Sequence, residues 1–279
     1  MLRILIILTL TILFKTHLCS QPFVDPIQVR YMNAFRSNNS ETTPFTHLWA
    51  GSDFPIKLKN NTYLLLSPSY EQWHIESANN QTNYPTVQSL SLPIGLILPL
   101  EQSKWSLSFI PIVRWNGEKL FSKNTFQYGG VAFTTFAKKK NQKFRLGIYA
   151  NKEFFGWFVI PLLGTDWRID DTNYIFGLLP GRLTYEHKWN TKLYSGATFR
   201  APMNSYRLSN DKYIRLDDNQ ISVYLDYYPA KHLCITLEPG FGAFRKIRTG
   251  IANYSGYTSE IDWGDGPFIK LSAAYRIRL

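Results

Sequence analysis

The stretch Pro267-Phe268-Ile269-Lys270-Leu271-Ser272-Ala273-Ala274-Tyr275-Arg276-Ile277-Arg278-Leu279 decides the fold. Ile269, Leu271, Ala273, Tyr275, Ile277 and Leu279 alternate with Lys270, Ser272, Arg276 and Arg278. A period of two, apolar on one face and cationic on the other, describes a strand with lipid on one side and water on the other. The pattern predicts an all-β fold, a transmembrane antiparallel up-and-down β-barrel.

The other end of the sequence reads as an export signal. Arg3 precedes the apolar run Ile4 to Phe14, broken by Thr9 and Thr11, and Leu18-Cys19-Ser20 places a small residue before a cut ahead of Gln21. A spanning helix needs about 20 apolar residues, so this run is too short to be an anchor. The expected organisation is a signal peptide over 1–20 and a barrel domain over 21–279. Whether Cys19 carries a lipid is left open, although Thr16 and Leu18 are poor neighbours for lipid attachment. Removal of the signal leaves Cys234 as the one cysteine, which excludes an internal disulfide and a small disulfide-stapled fold.

Alternation continues along the chain. In 104–115, Trp105, Leu107, Phe109, Val113 and Trp115 share a face opposite Ser106, Ser108 and Arg114. Trp157, Val159, Leu163 and Trp167 repeat this in 157–167. Tryptophans at that spacing are about 33 Å apart along a strand, or about 25 Å vertically at a tilt near 40°, which is the height of a barrel's apolar band. Trp105, Trp115, Trp157 and Trp167 are therefore the expected interface aromatics. Ile221, Val223, Leu225 and Tyr227, then Leu233, Ile235, Leu237 and Phe241, form the clearest hairpin, around the turn Pro229-Ala230-Lys231-His232.

Short polar turns recur at 59–62, 101–103, 138–142, 170–172, 190–191 and 229–232, with longer polar stretches at 37–53, 76–85, 116–124, 204–219 and 248–266. The expected strands are 27–36, 54–58, 62–75, 86–98, 104–115, 125–137, 143–151, 157–168, 173–179, 182–188, 192–202, 220–229, 233–246 and 267–279. That makes fourteen, an even number that puts both termini on the periplasmic side. Reading Tyr174 to His187 as one strand, without the first short hairpin in the wall, gives twelve.

An export signal, alternating strands, tight turns and a membrane-spanning last strand resemble bacterial outer-membrane β-barrel proteins. Phe154-Phe155-Gly156, Pro161-Leu162-Leu163-Gly164-Thr165-Asp166-Trp167 and Gly177-Leu178-Leu179-Pro180 also resemble an uncharacterised outer-membrane barrel family, a domain of unknown function. The resemblance implies a fold and a place in the outer membrane of a two-membrane bacterium, and no activity. It also implies outer-membrane lipids and the barrel-assembly machinery as partners, the latter through the C-terminal strand. The residue that machinery reads is usually aromatic, and here it is Leu279.

Candidate chemistry is sparse. The mature chain has His47, His74, His187 and His232, without Cys/His metal spacing, a phosphate loop or a serine that any spacing pairs with a histidine. No cofactor, no metal and no catalytic residue is expected, and a membrane lipase or deacylase stands only as a weaker alternative. Net charge is +11, of which Arg3 and Lys15 leave with the signal. On an exported chain that charge speaks for anionic headgroups or anionic solutes rather than nucleic acid. Parity turns Arg30, Arg36, Arg114, Arg145, Arg200, Lys270, Arg276 and Arg278 into the lumen, against Asp226 and Glu238. The leading expectation is a narrow, anion-leaning channel or a solute-binding barrel that takes a small anionic solute. The alternative is a closed structural or adhesive barrel whose loops 37–53, 204–219 and 248–266 meet a partner, and a soluble β-sandwich would share the alternation.

Overall fold

The computed structural model describes residues 22–35, 43–59, 62–76, 84–100, 103–209, 211–254 and 256–279. Fourteen antiparallel strands close into an up-and-down transmembrane barrel. They are β1 (Phe23–Ala34), β2 (Phe45–Gly51 and Phe54–Lys57), β3 (Tyr63–Leu66 and Ser69–Ile75), β4 (Val87–Pro99), β5 (Trp105–Gly117), β6 (Phe126–Lys139) and β7 (Gln142–Glu153). There follow β8 (Gly156–Arg168), β9 (Asn173–Leu179), β10 (Arg182–Lys188), β11 (Leu193–Arg200 and Met203–Arg207), β12 (Lys212–Ala230), β13 (Leu233–Ile251) and β14 (Ser259–Asp262 and Gly266–Arg278). The sheet closes where β1 pairs β14, from Phe23 opposite Arg278 to Ala34 opposite Phe268.

Side-chain parity explains the two faces. Ile27, Val29, Leu107, Phe109, Val159, Leu163, Ile221, Val223, Ile235 and Leu271 are exposed on the outside. Buried polar groups, among them Arg145, Glu186, Asp226, Glu238, Lys270 and Arg276, occupy the inside. Hydrocarbon supplies no hydrogen bonds to a free strand edge, so a sheet with such an outer face must close on itself.

The connections after β2, β4, β6, β8, β10 and β12 lie at the end that carries both ends of the β-sheet, where the Leu279 amide donates to the Pro22 carbonyl. The opposite end departs from the expected set of long loops. Residues 45–51 extend β2 into the stretch 37–53, and 203–207 with 212–219 turn 204–219 into a hairpin. β13 runs on to Ile251 and meets Ser259–Asp262 within 248–266. Polar inner residues on extended strands look like loop composition when no outer apolar row accompanies them. At this end the β7–β8 and β9–β10 turns are also short, at Phe154-Phe155 and Pro180-Gly181, so long loops are not general here. Gly177, at φ +148°, shapes the second hairpin. A Cβ there would stand 2.2 Å from the Arg182 carbonyl oxygen, so only glycine allows that approach.

The rim is uneven. β12 and β13 have 19 residues each, β9 and β10 only 7. Seven residues reach about 23 Å along a strand and about 18 Å vertically at a tilt near 40°, short of an apolar band about 25 Å tall.

The upper segment of β11, Met203–Arg207, leaves the wall and crosses the lumen. It pairs with β12 on one side, and Arg207 pairs in parallel with Gly117 at the top of β5 on the other. Ser205 Oγ donates to Glu153 at 2.5 Å and accepts from Gln127 and the Phe154 amide at 3.0 and 3.2 Å. Asn116 donates to the Ser205 carbonyl at 3.1 Å. These bonds tie the segment to β5, β6 and β7 as a roof. Beneath and beside it Met32, Phe45, Trp73, Val87, Tyr206, Ile214, Leu216, Ile247, Trp263 and Phe268 pack as one apolar core inside the barrel.

Phe109 lies on the outer face in mid-strand, and Trp115 packs against Phe121 and Phe126 at the upper end of β5. Phe109→Arg is expected to cost about 2–4 kcal/mol and Trp115→Arg about 0–1 kcal/mol. Heat-modifiable gel migration after refolding measures this: Phe109→Arg should lower the folded fraction much more than Trp115→Arg, and equal tolerance would misplace the membrane.

Candidate functional site: a cationic lumen beneath the roof

The bottom of the lumen is an ion-paired floor. Arg276 lies buried between two carboxylates, 2.6 and 2.8 Å from Asp25 and 2.5 Å from Asp226. Its guanidinium carbon stands 3.7 Å from the Phe23 ring centroid. Arg278 donates to Glu186 at 2.5 Å and to Tyr228 at 2.9 Å, over the Tyr194 ring. Arg276 and Arg278 were expected to face the lumen with Asp226 and Glu238 as its only acids. Instead Asp25, Asp226 and Glu186 neutralise them. Asp25 escaped notice because the first strand was expected to begin at 27, whereas it begins at Phe23. Arg36 lies outside the described residues.

Higher up, several cations also have partners. Lys270 donates to Glu238 at 2.8 Å and to Gln220 at 2.6 Å. Arg145 is 3.4 Å from Asp166, which also accepts from Tyr174. Arg114 donates to Tyr149 at 2.9 Å and to Asn204 at 3.0 Å, and stands 3.7 Å from Glu153. His47 falls in the apolar core end of β2, stacked on Trp73 with 3.8 Å between ring centroids, and shares a hydrogen bond with Glu71 at 3.2 Å. Glu71 also accepts from Asn204 and Tyr206 at 2.6 and 2.7 Å, so it fastens the roof. His74 bonds Thr86 and His187 bonds Asn173, both away from this network.

Between floor and roof are two chambers, of about 770 and 390 Å³. Arg30, Trp49, Arg182 and Arg200 line both, so they form the neck between the two. Arg182 and Arg200 face each other across the β10–β11 ladder, and Arg30 reaches over from β1, its guanidinium 4.9 Å from the Trp49 ring centroid. Arg200 has one ion pair, 4.0 Å from the Glu238 oxygen that Lys270 already engages, and its buried Nε has no hydrogen-bond partner among the described residues. Like charges this close repel unless an anion occupies the space between them. Arg182 was absent from the expected lumen set, although the alternation Arg182-Thr184-Glu186 carries its inward parity.

The upper chamber also meets Arg215, Lys246 and Arg248 at its mouth. Arg215 donates to Asp217 at 2.9 Å and lies against the rings of Phe155, Phe158 and Tyr257. Arg248 bonds Asp217, and Lys246 and Arg248 both bond Glu260 on the outer part of β14. Arg215, Asp217, Arg248 and Glu260 lay in stretches expected to be loops, and Lys246 at the end of an expected strand. Among the described residues no group of three or more His, Cys, Asp or Glu side chains could hold a metal ion. Trp105, Trp157 and Trp167 are exposed on the outer face, Trp105 and Trp167 near the turn end and Trp157 near the roof end, with Trp115 half-buried at that same upper level.

No family model matches the chain, and no curated protein matches it. Among solved structures it is similar to the NanC porin, at 9% identity and a TM-score of 0.40, over 90% of this chain and 100% of that one. It is similar to an outer membrane channel from Pseudomonas putida F1 at 8% identity and a TM-score of 0.47, over 92% and 97% of the two chains. It is also similar to the TodX monoaromatic hydrocarbon channel at 10% identity and a TM-score of 0.44, over 92% and 90%.

Two predictions follow from the charges. Replacing Arg276 by Met leaves Asp25 and Asp226 facing each other without the cation between them, and breaking a buried pair costs about 3–5 kcal/mol. The unfolding free energy from a urea titration in detergent should fall by that amount, with a lower midpoint, and an unchanged midpoint would mean the floor is not held by this ion pair. Outside the membrane band, hydrogen bonds from Lys246 and then Arg248 hold the Glu260 carboxyl at about 2, below its ordinary 4.5. A depressed carboxyl contributes stability that is complete above the ordinary value and lost as pH falls through the folded one. The protection of the Ser259–Asp262 amides, relative to their intrinsic exchange at each pH, should therefore fall between about pH 4.5 and 2, and Glu260→Gln should show low protection at every pH.

Proposed function

We propose that this protein is an outer-membrane barrel whose lumen admits anions, with Arg30, Arg182 and Arg200 as the selecting group. One observation carries the reading: the neck shared by the two chambers is lined by three arginines and one tryptophan, and the carboxylate nearest in the ion-pair network, Glu238, is already engaged by Lys270. A ring of side-chain cations in a water-filled constriction favours anions through Coulomb attraction and excludes cations. The low dielectric of the surrounding sheet strengthens the field at the neck, and added salt weakens it. At the floor Arg276 and Arg278 are engaged by Asp25, Asp226 and Glu186, so the arginines of the neck are the cations that face the path. Planar guanidinium groups suit oxyanions such as carboxylate and phosphate, which they bind in bidentate fashion.

The test is the reversal potential of the purified barrel in a planar bilayer across a salt gradient. The native protein should favour anions, the bias should shrink as total salt rises, and Arg200→Glu with Arg182→Glu should move the reversal potential toward the cation side. Cation preference in the native barrel, or no movement in the double variant, rejects the neck as a selector. A barrel that never conducts rejects conduction altogether.

A further inference from the structure

The wall of this barrel is incomplete on one side. β8 pairs with β7 along its whole length, from Gly156 opposite Glu153 to Trp167 opposite Gln142. On its other side β8 pairs with β9 only from Leu163 opposite Leu179 downward. Among the described residues, Gly156 to Leu162 have no strand neighbour there, because β9 and β10 turn back at Pro180-Gly181. The strand that would stand opposite, the upper part of β11, has swung inward to make the roof. A window therefore opens between the upper edge of β8 and Met203, with the Pro180-Gly181 hairpin as its sill. The turn at Phe154 closes over its top by packing with Tyr213 and Ala252, and the Asn253 amide donates to the Phe154 carbonyl.

Height identifies what the window faces. Trp157, exposed on the outer face, marks the upper interface on β8, and Leu163, also exposed, lies about half a strand below it. The missing pairing runs between these two levels, so the window opens onto the outer half of the bilayer. An unpaired strand edge at that depth is tolerated only where it lines a hydrated cavity or is covered by protein. The upper chamber reaches that edge: Phe158, Ile160 and Leu162 line it from β8, Leu178 from the sill and Met203 from the roof. Its inner end is the arginine neck. At about 770 Å³ the chamber is within the size range of small-molecule sites.

We propose that the window is a lateral portal for a single-chain amphiphile with an oxyanion head. The head passes through the window and rests at Arg30, Arg182 and Arg200, where the buried Nε of Arg200 has no hydrogen-bond acceptor among the described residues. The chain lies along Phe158, Ile160, Leu162, Leu178 and Met203 and trails into lipid. A fully soluble anion would need neither an apolar passage nor an opening at membrane depth. The upper chamber also has a charged mouth at Arg215, Lys246 and Arg248, and the window adds to it an apolar way in at membrane depth. This inference rests on the anion-admitting neck and adds the route and the substrate class.

The probe is stearate carrying a nitroxide on its chain, read by electron paramagnetic resonance in proteoliposomes of zwitterionic lipid. The native barrel should give an immobilised component with this probe and none with an alkyl trimethylammonium of the same length and label position. Unlabelled palmitate should displace it and acetate should not. Arg200→Glu should abolish the component, as should Met203→Trp or Ile160→Trp, either of which fills the window. Leu271→Trp, on the lipid face far from the window, should retain it, and heat-modifiable migration identifies which variants are folded. Equal immobilisation of the cationic chain, displacement by acetate, or retention in both folded window variants would overturn the portal. An anion-selective native barrel that immobilises no stearate overturns the portal while the neck reading stands. A native barrel without anion preference fails the neck reading itself, whatever the stearate result.

Discussion

A strand edge in hydrocarbon has nothing to bond to except another strand, and the whole architecture depends on that constraint. It forces the sheet to close between β1 and β14, and it makes one local failure of pairing informative. At the upper half of β8 the ladder stops on one side, although the outer face there still carries Trp157 and Val159. The neighbour that would complete the wall serves instead as a roof, held by Ser205, Asn204, Tyr206 and their partners on β3, β5, β6 and β7. Roof and window are two results of one chain departure after Ala201-Pro202.

Charge inside the barrel is layered rather than spread. At the floor, Arg276 and Arg278 meet Asp25, Asp226 and Glu186 at hydrogen-bonding distance and stack on Phe23, Tyr194 and Tyr228. These paired groups make a closed floor in which, among the described residues, no cation lacks a carboxylate. Near the roof, Glu71 and Glu153 accept mainly neutral donors and hold backbone segments in place. In the middle layer Arg30, Arg182 and Arg200 come together, and there the two chambers meet. The +11 of the whole chain is thus a poor guide to the lumen, since many cations sit in turns or in pairs.

Legibility in the sequence followed the apolar rows. Strands with an outer row of Leu, Ile, Val or Trp, such as 104–115, 157–168 and 233–246, have the parity that alternation assigned them. The upper strand segments have at most a sparse row of this kind. Phe45–Gly51, Lys212–Asn219 and Ser259–Asp262 therefore read as polar loops, and with them went Glu71's partners, Arg215, Asp217 and Glu260. Arg182 was readable from its strand but stood next to a Pro-Gly turn that blurred the strand count.

The sequence alone carries an alternating strand pattern with an apolar outer face and an even strand number, because a period of two and a membrane height are local properties of each strand. It also determined that the inner face would be rich in arginine. Which arginines are neutralised, where the roof crosses and where the wall opens were decided only by tertiary structure. Those outcomes depend on pairs distant along the chain, such as Arg276 with Asp25, Asn204 with Glu71 and Arg207 with Gly117. A local pattern records which face a residue occupies, but not which strand stops short beside it.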